Sequence, residues 1–547
     1  MKKQGLKAWE IELGGKHMEM DIPWDEPVPQ SKIMKVVEYC CNDVVELERV
    51  FEHLHGDFVA RQILADLSGM PVNSTTRNHA VRIIFGQERN PQKDFVYTDL
   101  STEFPGYKFD RFAPEGQKST YKGEFVGEGG YVYAEPGVYD NVVCLDVASM
   151  HPSSIEQLRL FGPYTATYSA IKEVRLSIKG ARSLTAKYIK DRDRSCLEKA
   201  TALLTDAKQL FQGRLRPHIE EIEQIEDLGE RVKALKALED ALKLVINSVY
   251  GYTSAKFENL FRDPRNIDNI VAKRGALFMI ELKNLVQSLG YQVVHIKTDS
   301  IKIPNADPEI IQAVSEFGEK YGYDFEIEGT YKKLCLVNDA VYVAQDEDET
   351  WHATGAQFLH PYVFKRLFSG EGIDFRDLCE KKQVKEGVMY LDDINLDLYG
   401  DEYIPELVEI DQENKTEGEL VLDYNGRRYH VGRTGLFVPV SEELGGKLIR
   451  IKDGKEFAVQ GTKGYYWVEA EMLKTLKPEA LARMSFERVE DAVEGTGSIA
   501  DIINLEYFEN LVEKAVKTIE QFGKYEELVG DFGSYERLNG KKLEVAA

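Results

Sequence analysis

Residues 142–155 read Val-Val-Cys-Leu-Asp-Val-Ala-Ser-Met-His-Pro-Ser-Ser-Ile. The first four are apolar and predict a short buried strand, at whose end stands Asp146. A turn and a proline follow, so we expect this carboxylate to project from the edge of a sheet. Taken alone, the pattern is more typical of an ordinary turn aspartate, and its meaning depends on two later stretches.

The second stretch, residues 243–251, reads Lys-Leu-Val-Ile-Asn-Ser-Val-Tyr-Gly. Lys243, Asn247 and Tyr250 are spaced so that they share one face of a helix, while the apolar residues between them anchor another face. A cation, an amide and a phenol in one row suit a polyphosphate with a base or sugar beyond it. A solvated lysine beside a core tyrosine is an equally good interpretation of this stretch alone.

The third stretch, residues 295–303, reads His-Ile-Lys-Thr-Asp-Ser-Ile-Lys-Ile. Two short apolar runs flank a polar tetrad, which predicts a β-hairpin carrying Asp299 at its turn. An ordinary turn aspartate is again the more common interpretation. Together, however, Asp146 and Asp299 supply two hard carboxylates from separate segments, which are the ligands that Mg²⁺ prefers. Two such ions promote in-line phosphoryl transfer, and a nearby lysine would neutralise the remaining phosphate charge.

The composition fits a globular enzyme without deciding its chemistry. The chain has 547 residues, 43% of them hydrophobic and 30% charged, with a net charge of −24. This length predicts several domains, and the charge argues against non-specific coating of nucleic acid, though not against a local basic groove. The six cysteines form no metal or redox motif, which indicates a reducing cytoplasm. No apolar run is long enough to predict a membrane span or a secretory signal.

Periodicity gives a coarse outline of the chain. Helices are predicted over 31–51, over long parts of 185–250 with a hairpin tip near 225–229, and over 270–289. A strand is predicted at 292–296. Residues 396–470 favour a small β-rich subdomain, and the last 45 or so residues return to helix.

The three stretches, in this order and spacing, resemble motifs A, B and C of family B DNA polymerases. The sequences of the three motifs most resemble those of polymerases encoded by bacteriophages, and the resemblance is clear over residues 120–345. It implies an α+β right-hand polymerase with palm, fingers and thumb, two Mg²⁺ ions (Mn²⁺ as a substitute), primer–template DNA and dNTPs as partners, and a role in phage replication in the host cytoplasm. The domains it implies are an exonuclease remnant (1–55), a connecting region (56–140), palm (141–180), fingers (181–250), palm (251–355) and thumb with a β-rich insertion (356–547).

The resemblance also assigns roles by position. Asp146 and Asp299 would be the catalytic metal ligands, with the Val147 carbonyl as an additional ligand. The implied nucleotide contacts are Ser149 and Met150 through their backbone amides, His151, Lys243, Asn247, Tyr250 and, on a looser alignment, Lys208 and Arg214. The implied DNA contacts are Gly129 and Gly130, which resemble a Tyr-x-Gly-Gly turn near the template, Thr298 and Tyr342.

Three departures from the family pattern bear on function. His151 stands where the family usually has a tyrosine whose ring blocks a ribose 2′-hydroxyl, which puts sugar discrimination in question. Lys297 replaces the first aspartate of Asp-Thr-Asp and would reduce the acidity beside Asp299. Of the Lys-Lys-x-Tyr primer-contact motif only Tyr342 is present, without its preceding lysine.

A fourth pattern, Tyr39-Cys-Cys-Asn-Asp43, fits the third exonuclease motif of proofreading polymerases. The first two motifs are not found in the residues before it. The expectation is therefore a polymerase that begins inside its exonuclease domain, with no proofreading by this chain alone and an upstream exonuclease polypeptide as a possible partner. Two alternatives remain open: a nucleotidyltransferase with relaxed sugar selectivity, and a catalytically silent DNA-binding subunit that needs the upstream polypeptide.

Overall fold

The computed structural model describes residues 4–20, 22, 27–113, 118–392, 428–440, 446–459, 464–468 and 503–530. Contacts divide the chain into two compact units: residues 54–352 form one, and residues 1–53 together with 353–547 form the other. The predicted β-rich subdomain lies partly outside the described residues, as does part of the predicted C-terminal helical region. The finer division into palm, fingers and thumb stays a prediction.

The helices and strands follow in chain order. The α-helices are α1 (Leu6–Glu12), α2 (Ile33–His53), α3 (His55–Ser68), α4 (Thr76–Phe85), α5 (Met150–Gln157), α6 (Thr165–Asp191), α7 (Arg194–Ala207), α8 (Arg216–Glu223), α9 (Leu228–Thr253), α10 (Ile270–Ser288), α11 (Pro308–Lys320), α12 (Ala356–Leu359), α13 (Pro361–Phe364), α14 (Leu505–Ile519) and α15 (Tyr525–Val529). The strands are β1 (Lys108–Asp110), β2 (Lys118–Tyr121), β3 (Glu124–Phe125), β4 (Val132–Ala134), β5 (Gly137–Val147), β6 (His295–Lys297), β7 (Ser300–Pro304), β8 (Phe325–Asn338), β9 (Val341–Asp346), β10 (Trp351–Thr354), β11 (Glu380–Gln383), β12 (Val388–Asp392), β13 (Arg428–Gly432), β14 (Thr434–Val440), β15 (Lys447–Lys452), β16 (Lys455–Ala458) and β17 (Gly464–Val468).

A seven-stranded sheet organises the unit of residues 54–352. Its strand order is β10-β9-β8-β5-β7-β6-β4, so that β5, with β8 on one side and β7 on the other, lies at its centre. Both neighbours run antiparallel to β5. Helix α10 is almost wholly buried and packs close to α5. The approach is so close that a side chain at Gly275 of α10 would collide with the Met150 sulfur of α5. The fold is therefore α+β, with helices packed on a largely antiparallel sheet.

A group of long helices precedes the second half of this sheet. Helix α6 packs along α7 and α9 and begins at Thr165, earlier than the periodicity over 185–250 predicts. The predicted hairpin tip matches the break between α8 and α9. Asp227 caps α9 there by accepting a hydrogen bond from the Glu230 amide, so α9 begins just before Gly229 rather than after it.

The other unit contains α1 and α2, two small sheets and the C-terminal helices. One sheet has the order β11-β14-β17 and the other the order β13-β12-β15-β16. Helix α14 buries Phe508, Val512, Ala515 and Ile519 on one face, as its periodicity predicts.

Candidate functional site

Asp146 and Asp299 lie side by side on the central strands. Asp146 ends β5 directly opposite Ser300 on β7, and Asp299 occupies the tight turn between β6 and β7. The Val147 amide donates a hydrogen bond of 2.9 Å to the Asp299 carbonyl, which fixes the two backbones as neighbours. The strand and the hairpin predicted from sequence thus bring these two aspartates together at one edge.

A third carboxylate belongs to the same group, and the sequence interpretation missed it. Between Cys144 and Leu145 the pairing of β5 with β8 shifts by one residue, which leaves Glu328 as the extra residue on β8. The Glu328 carboxylate accepts a hydrogen bond from the Cys144 thiol at 3.2 Å. The position of Glu328 depends on this bulge, so strand alternation alone could not have located it.

The crowding of these acids changes their proton affinities. Burial raises the pKa of Asp146 to about 7, and the charges of Asp299, Glu328 and Glu326 add to the rise. Burial also raises the pKa of Asp299, with a further contribution from Glu328. A bound cation would relieve this repulsion, and hard oxygen donors of this kind suit Mg²⁺.

The donor set is a partial one. Within the described part of the chain, no three acidic, histidine or cysteine side chains come together closely enough to form a complete metal cluster. Two aspartates and a backbone carbonyl fit an ion that takes its remaining ligands from phosphates and water, as Mg²⁺ usually does. The donor types present fit Mg²⁺, while the ligand roles of Asp146, Asp299 and the Val147 carbonyl stay predictions.

The turn after Asp146 is held in an unusual backbone conformation. Ser149 has φ 66° and ψ 54°, which is the left-handed region, and it precedes the first residue of α5. The guanidinium of Arg175 on α6 donates a hydrogen bond of 2.8 Å to the Ser149 hydroxyl. Buried Glu239 on α9 lies 3.7 Å from the same guanidinium and accepts a 2.8 Å hydrogen bond from Arg182. Two helices thus brace the turn, and no sequence motif indicated Arg175 or Glu239.

The row of polar residues on α9 is present as predicted. Lys243 and Asn247 are exposed, whereas Tyr250 is partly buried. The Tyr250 ring stacks on the His151 ring with 3.9 Å between centroids and 15° between planes. Burial lowers the pKa of His151 to about 4, so the imidazole is neutral near pH 7, and its Nδ1 is buried without a hydrogen-bond partner. The two rings form a face-to-face stack beside the turn that follows Asp146.

Comparison with known sequences finds DNA polymerases, although no protein-family model matches the chain. The DNA polymerase alpha catalytic subunit of Mus musculus is 24% identical over 275 residues, which cover 48% of this chain and 17% of that protein. A DNA polymerase of Thermococcus sp. (strain 9oN-7) is 22% identical over 373 residues, covering 65% of this chain and 44% of that protein. DNA polymerase II of Escherichia coli (strain K12) is 29% identical over 173 residues, covering 31% and 19%.

The chain is homologous to DNA polymerases over part of its length. It spans less than half the length of these curated relatives. Among solved structures, the family B DNA polymerase of the archaeon Pyrobaculum calidifontis matches over 91% of this chain and 62% of that one, with a TM-score of 0.38 and 14% identity. Among the described helices of this chain, none has the length and apolar character needed to cross a membrane.

Two basic residues assigned on the looser alignment have structural partners within this chain. Lys208 donates a hydrogen bond of 2.5 Å to Glu223. Arg214 donates to the backbone carbonyls of Leu67 and Ile83 and lies over the Phe211 ring. These contacts tie neighbouring helices together, so the nucleotide-binding roles of Lys208 and Arg214 stay predictions.

A Gly-rich loop contacts the turn between β6 and β7. Gly130 has φ 155°, and a side chain there would come within 3.0 Å of the Thr298 methyl group. The Thr298 amide also donates a 3.0 Å hydrogen bond to the Tyr131 carbonyl. Buried Lys273 on α10 also holds this loop, by donating hydrogen bonds of 2.7 and 2.6 Å to the carbonyls of Val126 and Gly127. Burial lowers the pKa of Lys273 to about 8. Gly129 is exposed in this loop. The DNA contacts predicted for Gly129, Gly130 and Thr298 are not tested by this packing.

The exonuclease pattern lies on α2. Lys7 on α1 donates a 2.6 Å hydrogen bond to Asp43 and stands 4.3 Å from the centre of the Tyr39 ring. Burial lowers the pKa of Lys7, but its bonds to Asp43 and Glu10 raise it by more, so the net shift is upward. Asp43 is therefore paired with a charged ammonium in this arrangement.

Proposed function

We propose that this chain is a DNA-directed DNA polymerase that adds dNTPs to a primer 3′-hydroxyl and releases pyrophosphate. The main support is that Asp146, at the end of β5, lies beside Asp299 in the β6–β7 turn, where burial and neighbouring carboxylates raise the pKa of both acids. The homology to DNA polymerases supports the same reaction. The right-hand arrangement, with a palm around the central sheet and fingers formed from the helices between β5 and α10, belongs to this proposal.

Each group of residues has a distinct task in the proposed reaction. Asp146, Asp299 and the Val147 carbonyl hold two Mg²⁺ ions, which, when bound, activate the attacking hydroxyl and stabilise the leaving oxygen. The amides of Ser149 and Met150 open α5 and donate to the outer phosphates. Lys243 and Asn247 meet the triphosphate from α9. The stacked rings of His151 and Tyr250 support the sugar and base of the incoming nucleotide.

A primer-extension assay tests the proposal. The purified chain, supplied with a labelled primer on a longer template, dNTPs and MgCl₂, is expected to lengthen the primer in template order. If one dNTP is omitted, extension should stop at the first template base that is complementary to it. Binding of primer–template without any extension by the metal-replete chain would favour the alternative of a catalytically silent DNA-binding subunit.

The biological context of the reaction is also proposed from the motifs. The sequences of the three motifs favour a bacteriophage polymerase that acts in the cytoplasm of the host. Loss of viral DNA synthesis after deletion of the gene, measured as genome copies during infection, would support this setting. Normal copy numbers would contradict it without affecting the polymerase reaction.

The second candidate function, synthesis with relaxed sugar selectivity, is favoured by His151. A neutral imidazole is smaller than a phenol, so His151 leaves space that a tyrosine ring would fill. We expect His151→Tyr to raise the preference for dNTPs over rNTPs by roughly tenfold, since one steric group is worth about 10–200-fold in discrimination. The measurement is kcat/KM for dCTP and CTP opposite the same template base.

Tyr250→Phe is the matched control because it keeps the ring that stacks on His151. It should leave the sugar preference close to that of the wild type. Equal rNTP use by the wild type and by His151→Tyr would show that this position does not set the choice of sugar.

Proofreading is proposed to require a separate upstream exonuclease polypeptide that docks on α2. Asp43 is occupied by Lys7, while another face of α2 exposes apolar side chains to between 40% and 75%: Ile33, Met34, Val37, Val44, Val45, Leu47 and Phe51. An apolar stripe of this length is typical of an interaction surface. We expect no 3′-end degradation by the chain alone, and degradation when the polypeptide encoded upstream is added.

Leu47→Glu should abolish the 3′-end degradation that the added polypeptide brings, without changing primer extension. The control Glu48→Gln changes a neighbouring exposed residue on α2 and should have no effect. Degradation by the chain alone, or by the mixture containing Leu47→Glu at the wild-type rate, would contradict the proposed docking.

A further inference from the structure

Lys302 is a buried cation on central strand β7. Its exposure is 4%. Within the described part of the chain its ammonium has no carboxylate or other hydrogen-bond partner, and it lies over the Tyr342 ring, whose centre is 5.2 Å from Nζ. A buried charge without a counter-ion is costly, so its retention next to a reactive centre calls for an anion.

The strand register places this cation relative to the aspartate pair. Lys302 lies opposite Cys144, and Ser300 lies opposite Asp146, so all four side chains share one face of the sheet. Two residues along a strand cover about 6.6 Å. The ammonium therefore belongs to the same face as the Asp146 carboxylate and is displaced from it along β7.

The ligand at that place is a phosphodiester. No carboxylate on this face is paired with Lys302 in the described part of the chain, and Glu328 accepts a hydrogen bond from the Cys144 thiol. A DNA strand carries one charge per roughly 3.4 Å of its axis, so a strand ending at Asp146 presents a phosphate one or two nucleotides back, beside Lys302. An incoming nucleotide, in contrast, extends from Asp146 toward Ser149 and α9.

The ring of Tyr342 is fixed over this position. The Asp339 carbonyl accepts a 3.1 Å hydrogen bond from His295 Nε2, which ties down the turn before β9. The His295 and Tyr342 rings also meet edge to face, with 6.1 Å between centroids. Since Lys302 pairs with His295 across the hairpin, the lysine, the histidine and the tyrosine form one small cluster.

We propose that Lys302, together with Tyr342, binds a phosphodiester next to the 3′ end of the primer strand. This inference rests on the proposed polymerase function and names the residue that positions the primer in this chain. Asp339-Ala-Val-Tyr342 lacks the lysine that the primer-contact motif would supply, and β7 brings a lysine to the same tyrosine from another strand.

The experiment measures primer–template affinity rather than synthesis. Lys302→Met keeps the length and apolar stem of the side chain, and Lys302→Arg keeps its charge. By fluorescence anisotropy without dNTPs, we expect Lys302→Met to weaken binding about tenfold and to reduce the salt slope by about one phosphate contact, while Lys302→Arg loses less. Lys320→Met is the matched control, because Lys320 is an exposed lysine near a tyrosine ring, 5.9 Å from Tyr321.

A second arm changes the DNA and leaves the wild-type protein intact. Single neutral methylphosphonate linkages are placed at each of the last four positions of the primer. One position next to the 3′ end should weaken wild-type binding about tenfold and leave Lys302→Met unaffected, because that variant has already lost the contact.

Two outcomes would overturn the inference. One is unchanged affinity and salt slope in a folded Lys302→Met protein. The other is a methylphosphonate series that weakens wild type and Lys302→Met equally at every position. Both readouts are independent of catalysis, so absence of primer extension by the wild type would count against the proposed polymerase function alone.

Discussion

Replacing either Asp146 or Asp299 with asparagine is expected to slow primer extension by at least about a thousandfold, because each change removes a ligand that the two-ion reaction needs. Asparagine keeps the shape of the side chain and removes its charge. Single-turnover extension with saturating MgCl₂ measures the loss. Asp206→Asn, the same substitution at an exposed position of α7, should extend the primer at the wild-type rate.

Asp146→Asn, although it should lower activity, is expected to raise the stability of the folded chain. The pKa of this carboxyl rises from its ordinary 3.8 to about 7 in the folded chain, so the folded state holds the proton more tightly than the unfolded state. The wild type therefore loses stability as the pH rises from about 4 through 7. Asp146→Asn lacks that loss, and without divalent ions its Tm should exceed that of the wild type by an amount that grows over this range.

These two readouts separate a metal site from a merely structural acid. A structural carboxylate would lower both the activity and the Tm when replaced. Near-normal extension by Asp146→Asn and Asp299→Asn would show that the metal assignment is wrong. A Tm difference that stays constant between pH 4 and pH 8 would show instead that Asp146 has an ordinary pKa.

Local patterns were sufficient for the elements that carry the two aspartates. The apolar run before Asp146 predicts the end of β5, and the two runs around Asp299 predict the β6–β7 hairpin. The range 270–289 predicts α10 almost to the residue. In each case the signal lies within one continuous stretch of sequence, so no knowledge of distant contacts was needed.

The residues missed from sequence depend on distant contacts. Glu328 reaches the acidic group through a one-residue bulge opposite Cys144, and a bulge leaves no periodic mark. Arg175 is one of several basic residues on α6, and only the packing of α6 beside the turn selects it. Lys302 would be expected on an ordinary exposed position of a hairpin, yet the sheet buries it. Lys208 and Arg214 were assigned as nucleotide contacts on a loose alignment, without knowledge of the side chains around them.

Arg175→Ala is expected to lower kcat/KM for dNTPs about a hundredfold, although Arg175 is argued to act through Ser149 and is a positioning residue. Ser149 holds a left-handed backbone conformation that costs a non-glycine residue roughly 1–2 kcal/mol, and its hydroxyl accepts the Arg175 hydrogen bond. Without that bond the turn can relax, and a displacement of about 1 Å at such a site can cost about a hundredfold in rate. The amides of Ser149 and Met150 would then no longer face the triphosphate.

Glu239 extends this brace to the helix that carries Lys243. Glu239 stands one helical turn before Lys243 on α9 and contacts both Arg175 and Arg182. Arg182→Ala is therefore the matched control: it removes one contact of buried Glu239 but none of Ser149. It should cost some stability and much less kcat/KM than Arg175→Ala. Arg175→Lys, which keeps a donor for Ser149, should recover part of the activity.

A double-mutant cycle decides whether Arg175 acts through Ser149. Ser149→Ala removes the hydroxyl that accepts the hydrogen bond and keeps the backbone amide. If the bond is the route, the double variant Ser149→Ala/Arg175→Ala should be no worse than Arg175→Ala, because the second change removes an interaction that is already lost. Losses that multiply would mean that Arg175 and Ser149 act independently, and the guanidinium would then have to meet the nucleotide itself. The split between KM and kcat distinguishes these cases further, since a displaced turn should change kcat and KM together, whereas loss of a direct contact between the guanidinium and a phosphate should mainly raise KM.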